Sequence, residues 1–110
     1  MKVDKKGDTV ILRHTKGDVH SFSEKITGEY NSFKESHIII DLTHDTSVGL
    51  SDVLLFLTLS NKHRKAKKSF VIVVNDFDFD EAPEEMVLVP TLLEAHDIIQ
   101  MEEIERDLGF

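Results

Sequence analysis

Two stretches of the chain are apolar almost without interruption, His37-Ile38-Ile39-Ile40-Asp41-Leu42 and Ser69-Phe70-Val71-Ile72-Val73-Val74. Short β-branched runs of this kind read as strands buried on both faces of a sheet. Thr9-Val10-Ile11-Leu12-Arg13-His14 reads as an earlier strand, entered from a Lys6-Gly7-Asp8 turn. Lys16-Gly17-Asp18 is a second turn signal, so residues 9–22 are expected to form a β-hairpin. Phe22, Ile26, Tyr30 and Phe33 then recur at helical spacing behind a cap at Ser21 or Ser23, with Gly28 inside that helix.

After the strand at 37–42, the polar loop 43–50 leads to Ser51, the expected N-cap of a helix over 51–67. Val53, Leu54, Leu55, Phe56, Leu57 and Leu59 exceed one helical face, so part of this helix packs on the sheet and the rest meets a neighbour or a partner. Residues 75–85 are an acidic connection, and 86–89 a last short strand ended by Pro90. Thr91-Leu92-Leu93-Glu94 has the form of a capping box and opens a helix with an apolar stripe at Leu92, Ala95, Ile98, Ile99, Met101, Ile104 and Leu108.

The order is β-β-α-β-α-β-loop-β-α within one domain, residues 1–110. It predicts an α/β fold: a mostly parallel mixed sheet with an antiparallel edge hairpin and helices mainly on one face.

Composition changes this picture little. Forty per cent apolar and 31% charged residues suit an ordinary globular domain, and 110 residues suffice for one core. With no cysteine, disulfides, thiolate metal sites and cysteine nucleophiles are excluded. The segment Met1–Gly7 lacks an apolar core, so no signal peptide is expected, and the expected location is the cytoplasm. A net charge of −8 argues against nucleic-acid and anionic-membrane partners.

Taken together, the order and the residues of the central segment resemble a STAS domain, the module of anti-sigma factor antagonists and of sulphate-transporter cytoplasmic tails. Ile38-Ile39-Ile40-Asp41-Leu42-Thr43 is similar to that family's central strand, and Pro90-Thr91-Leu92-Leu93-Glu94-Ala95 resembles the entry to its final helix. An ungapped count sets Gly49-Leu50-Ser51-Asp52-Val53 on the family's loop motif, with glycine in place of its aspartate, leucine in place of its first serine and aspartate in place of its glycine. Ser51 then falls on the serine that partner kinases phosphorylate. The resemblance implies a non-enzymatic regulatory module that binds an anti-sigma factor or kinase-like partner. It also implies that strands 37–42 and 69–74 are adjacent and parallel and that the helices at 51–67 and 91–108 share one sheet face; antiparallel strands or helices on opposite faces would end the assignment.

The residues 101–110 also resemble small bacterial proteins labelled ribonuclease Z, which makes an accessory subunit of an RNA-processing nuclease an alternative. That nuclease's metal motif needs histidines two apart, and the six here, at 14, 20, 37, 44, 63 and 96, never are.

Candidate partner-binding residues are Thr43, His44, Asp45, Thr46, Ser47, Gly49, Ser51 and Asp52 around the loop, and Lys62, Arg64 and Lys65 in the basic stretch 62–68. Five of the 13 basic residues lie in that stretch, where they complement a helix C-terminus or meet an acidic partner. Ser51 is the candidate phosphorylation site. Strand ends of an open α/β sheet form a rim where ligands bind, and Asp41, His44 and Asp76 there support a ligand-binding or enzymatic alternative. Asp76-Phe77-Asp78-Phe79-Asp80-Glu81 has carboxylates at the spacing of a calcium loop. Glu81 and Val87 stand where such a loop needs glycine and glutamate, so no metal and no cofactor are expected.

Overall fold

The computed structural model describes residues 1–45 and 47–109. Strands β1 (Lys2–Lys6) and β2 (Thr9–Arg13) form an antiparallel hairpin, closed where Lys6 pairs with Thr9 across Gly7-Asp8. Gly7 has φ +59°, a left-handed conformation that glycine adopts without steric cost. The hairpin therefore spans 2–13 and not 9–22. The second turn signal instead leads into helix α1 (Val19–Gly28), whose cap is Asp18 and neither Ser21 nor Ser23. The Asp18 carboxylate accepts the Ser21 amide at 2.7 Å, and that bond holds its pKa below the ordinary value. Val19, Phe22, Ser23 and Ile26 form the buried helical face, a period that a strand over 19–22 could not satisfy.

The sheet order is β1-β2-β3-β4-β5, with β3 at His37–Asp41, β4 at Phe70–Val73 and β5 at Val87–Val89. From β2 onward every neighbour is parallel. All of β3 and β4 is buried, as continuous apolar strands require. Alternation divides the core into two layers. Val10, Leu12, Ile38, Ile40 and Ile72 pack with α1 and the helical segments that follow β3; Ile11, Ile39, Val71, Val73 and Val89 form the opposite layer.

The expected single helix over 51–67 is two helices, α2 (Leu50–Leu54) and α3 (Leu57–Lys65). Between them the Phe56 amide bonds back to the Val53 carbonyl at 3.1 Å, a tightened turn that keeps Val53, Phe56 and Leu59 on one buried line. At the far end, the Lys68 amide donates to His63 and the Lys67 amide to Arg64, a Schellman ending. Lys67 occupies its left-handed position, φ +68°, where glycine is usual.

Helix α4 (Leu92–Asp107) follows β5 and packs Ala95 and Ile99 on the second layer. It thus lies on the face opposite α1–α3, which corrects the expectation that 51–67 and 91–108 share a face. Successive crossovers of one hand leave α1 and α2–α3 on the same side. A helix after the last strand closes no crossover, and the uncovered layer around Ile39, Val71 and Val73 draws it over. The STAS assignment required one shared face, and this arrangement goes against it. No helix among the described residues is long and apolar enough to cross a membrane.

Candidate functional site

At the carboxyl edge, the last residue of β3 organises the loop that follows. The buried Asp41 carboxylate accepts the Thr43 amide at 2.9 Å, the Thr43 hydroxyl at 2.6 Å and Arg13 Nε at 2.9 Å. Burial pushes this carboxyl up, and the bonds from Thr43 and Arg13 more than reverse it, leaving its pKa below the usual value. Just past the end of β2, buried His14 places Nδ1 2.5 Å from Asp45, and its ring lies 4.8 Å from that of Phe22. The Asn75 side-chain amide donates to the Thr43 carbonyl at 3.3 Å, tying the loop after β4 to the loop after β3. Asp41, Thr43 and Asp45 therefore shape the rim by contacts within the chain.

The remaining loop residues face outward. His44, Ser47, Gly49 and Ser51 are exposed, and Asp52 is half-buried. Thr46 lies outside the described residues. Gly49, not Ser51, is the N-cap of α2. It has no side chain to donate or accept, so the start of the helix rests on the Asp52 carboxylate, which accepts the Gly49 amide at 3.0 Å. Ser51 sits in the first turn with its hydroxyl free of the capping role. Of the alternative trio, Asp41 is buried in the contacts above, while His44 and Asp76 are exposed.

Helix α3 runs back to the amino edge, carrying Lys62, Arg64 and Lys65 away from the loop. The two candidate groups are thus separated by the length of α2–α3, about 20 Å at the usual rise per residue, and form two surfaces. Arg64 is held by the Glu102 carboxylate through two bonds of 3.3 and 3.0 Å. The Ser69 hydroxyl donates to Glu102 at 2.6 Å and accepts from Arg106 at 2.9 Å. Burial alone would raise the Glu102 pKa, and the bonds from Arg64 and Ser69 bring it below the ordinary value. Lys62 lies 4.8 Å over the Tyr30 ring, and Lys65 is exposed.

Three buried histidines were missed by sequence reasoning, His14 above and two at the amino edge. His63 accepts from the Tyr30 hydroxyl at Nδ1, 2.7 Å, and donates from Nε2 to the Ser36 carbonyl, 2.8 Å. His37 Nδ1 accepts the Ser69 amide at 3.0 Å, which leaves the proton on Nε2, 3.2 Å from Glu103. Burial lowers the pKa of both. The available signal for His63 was its spacing of four and seven from Leu59 and Phe56, obscured by the basic residues around it. Among the described residues, no three His, Asp or Glu side chains come together as a metal-holding group.

Between α1 and α3 lies a groove of about 180 Å³, lined by Thr27, Tyr30, Leu55, Thr58, Leu59 and Lys62. Leu54, 40% exposed, belongs to the neighbouring turn of α2. Neither a scan against protein-family models nor a search of curated proteins found a match.

Proposed function

We propose that this chain is a protein-recognition module, not an enzyme, and that it meets its partner through the exposed loop 43–52 and the outward side of α2–α3. The observation that carries this reading is the division of labour at the rim. The buried Asp41 carboxylate is committed to Thr43 and Arg13, and His14 Nδ1 to Asp45, while the surface along α2 and α3 is apolar and open around Leu54 and the α1–α3 groove. Shallow apolar grooves flanked by polar loops suit side-chain anchors of a protein better than a small substrate. In this reading Lys62 flanks the groove, and Arg64 is a structural residue that holds Glu102.

Regulation of the anti-sigma factor antagonist type is part of the proposal. Ser51 is three and four residues before Leu54 and Leu55, so it shares their side of the helical turn. A phosphate there would put charge next to the apolar docking residues, and Asp52 would add to the repulsion. The support is geometric and local; it does not draw on the position of α4.

The test is affinity capture from source cells with the wild-type chain and with folded Leu54→Glu, Thr58→Glu and Ser51→Asp variants. A protein held by the wild type and lost with Leu54→Glu and Thr58→Glu supports the reading. Loss with Ser51→Asp in addition supports the switch, and capture of an RNA-processing nuclease would make the chain an accessory subunit. Equal capture by all four proteins would overturn the docking surface.

A further inference from the structure

Helix α4 has two apolar faces and buries only one. Ala95 and Ile99 point into the sheet layer, with Glu102 and Arg106 continuing that line toward Ser69 and Arg64. On the other side Leu93, Met101, Ile104 and Leu108 are 72, 57, 59 and 67% exposed. At 3.6 residues per turn these four fall within an arc of about 80°, centred opposite the buried line, and extend for about 22 Å along the axis. A run of four large side chains on one exposed helical line is what a helix-in-groove partner reads as successive anchors. Scattered surface leucines need no explanation, but four large apolar side chains on one line, interrupted by Asp97, do.

Charge decides what covers it. Glu94 and Glu105 border the stripe on one side, Asp107 borders it on the other and Asp97 lies within it, all exposed. The one arginine of the helix, Arg106, is turned inward onto Ser69 and Glu102. A second copy packed on this line would set these acids against the same acids, in a chain already at −8. An amphipathic helix with basic flanks would instead neutralise them while its apolar line meets Leu93, Met101, Ile104 and Leu108.

We propose that the outward face of α4 is a second interaction surface, which receives a basic amphipathic helix of a partner protein and so leaves α4 enclosed between its own sheet and that helix. The surface is separated from the α2–α3 face by the whole thickness of the sheet, so the two can be occupied independently.

The test uses two synthetic peptides of equal length with leucines at the same three- and four-residue spacing, one otherwise lysine and one otherwise glutamate. Calorimetry on the full chain should show binding of the leucine–lysine peptide and none of the leucine–glutamate peptide. In the double variant Met101→Ser, Ile104→Ser, affinity should drop by about tenfold or more, because the charges remain and only the apolar line is lost. Leu54→Glu, on the opposite side, should bind as the wild type does. Thermal unfolding confirms that each variant is folded. Equal affinity of the double variant and the wild type would mean charge attraction alone and overturn the proposal, as would failure of the leucine–lysine peptide to bind. A wild-type dimer in light scattering that the double variant disperses would assign the stripe to a second copy instead.

Discussion

Lys67 shows how a single residue can hold a conformation at its own expense. It stands at the left-handed position that ends α3, where a side chain crowds the backbone and glycine does not. Lys67→Gly should therefore stabilise the fold by about 1 kcal/mol, read as a higher denaturant midpoint with an unchanged slope; a lower midpoint would show that its side chain contributes more than the strain costs. The buried histidines give a prediction in pH. His37 and His63 have folded-state pKa values below the ordinary histidine value of about 6.5. In the window between the two values the unfolded chain binds protons that the folded chain refuses, so stability rises with pH there and is lost as pH falls below about 6.5. Asp41 and Glu102, also lowered, continue the loss as pH falls below about 4. Urea midpoints should be level above pH 7.5 and decline between pH 6.5 and 5.5, and a level profile across that interval would contradict neutral burial of the two rings.

At the scale of elements, the two helix starts differ in what a substitution removes. The Thr91 hydroxyl accepts the Glu94 amide at 3.1 Å, so Thr91→Ala should cost about 1 kcal/mol. Ser51 caps nothing, and Ser51→Ala should change stability by less than about 0.5 kcal/mol. Parallel denaturation curves decide the matter: a comparable cost at both positions would restore Ser51 to the cap. The break between α2 and α3 has the same local logic. No proline or glycine forces it; burial of Val53, Phe56 and Leu59 on one line does. Periodicity alone reads 53–59 as a helix with too many apolar faces, because it does not see that Leu55 and Leu57 pack partly against the core while Leu54 stays outside.

For the whole molecule, Glu102 is the residue that joins the two sides of the sheet at the amino edge. Its carboxylate ties Arg64 of α3 and Ser69 before β4 to α4, and Arg106 of α4 bonds Ser69 as well. Glu102→Ala would leave two partly buried guanidinium groups short of their partner and should cost roughly 1–3 kcal/mol. Hydrogen exchange should show the loss concentrated in α4 and the end of α3, and a uniform loss would mean that the network does not join the layers.

The doubly buried strands β3 and β4, the short strand β5 and the cap at Thr91 were legible in the chain, since each rests on a pattern a few residues long. So was the parallel sheet with an antiparallel hairpin at its edge, because parallel neighbours need a long crossover whereas a tight turn joins only antiparallel strands. The residues of the candidate loop were legible too, as the polar segment between β3 and α2. What the sequence could not decide was partnership at a distance. Residues 2–6 are charged and unlike a core strand, yet they pair with β2 because that edge was open. The side of the sheet that α4 covers, the inward turn of Arg64 and Arg106, and the separation of the loop from the basic end of α3 all depend on which surfaces remained uncovered after the crossovers formed. For the same reason the apolar stripe of α4 divides in the fold, Ala95 and Ile99 inside and Met101, Ile104 and Leu108 outside: a helix on one face of a sheet has only one side to bury.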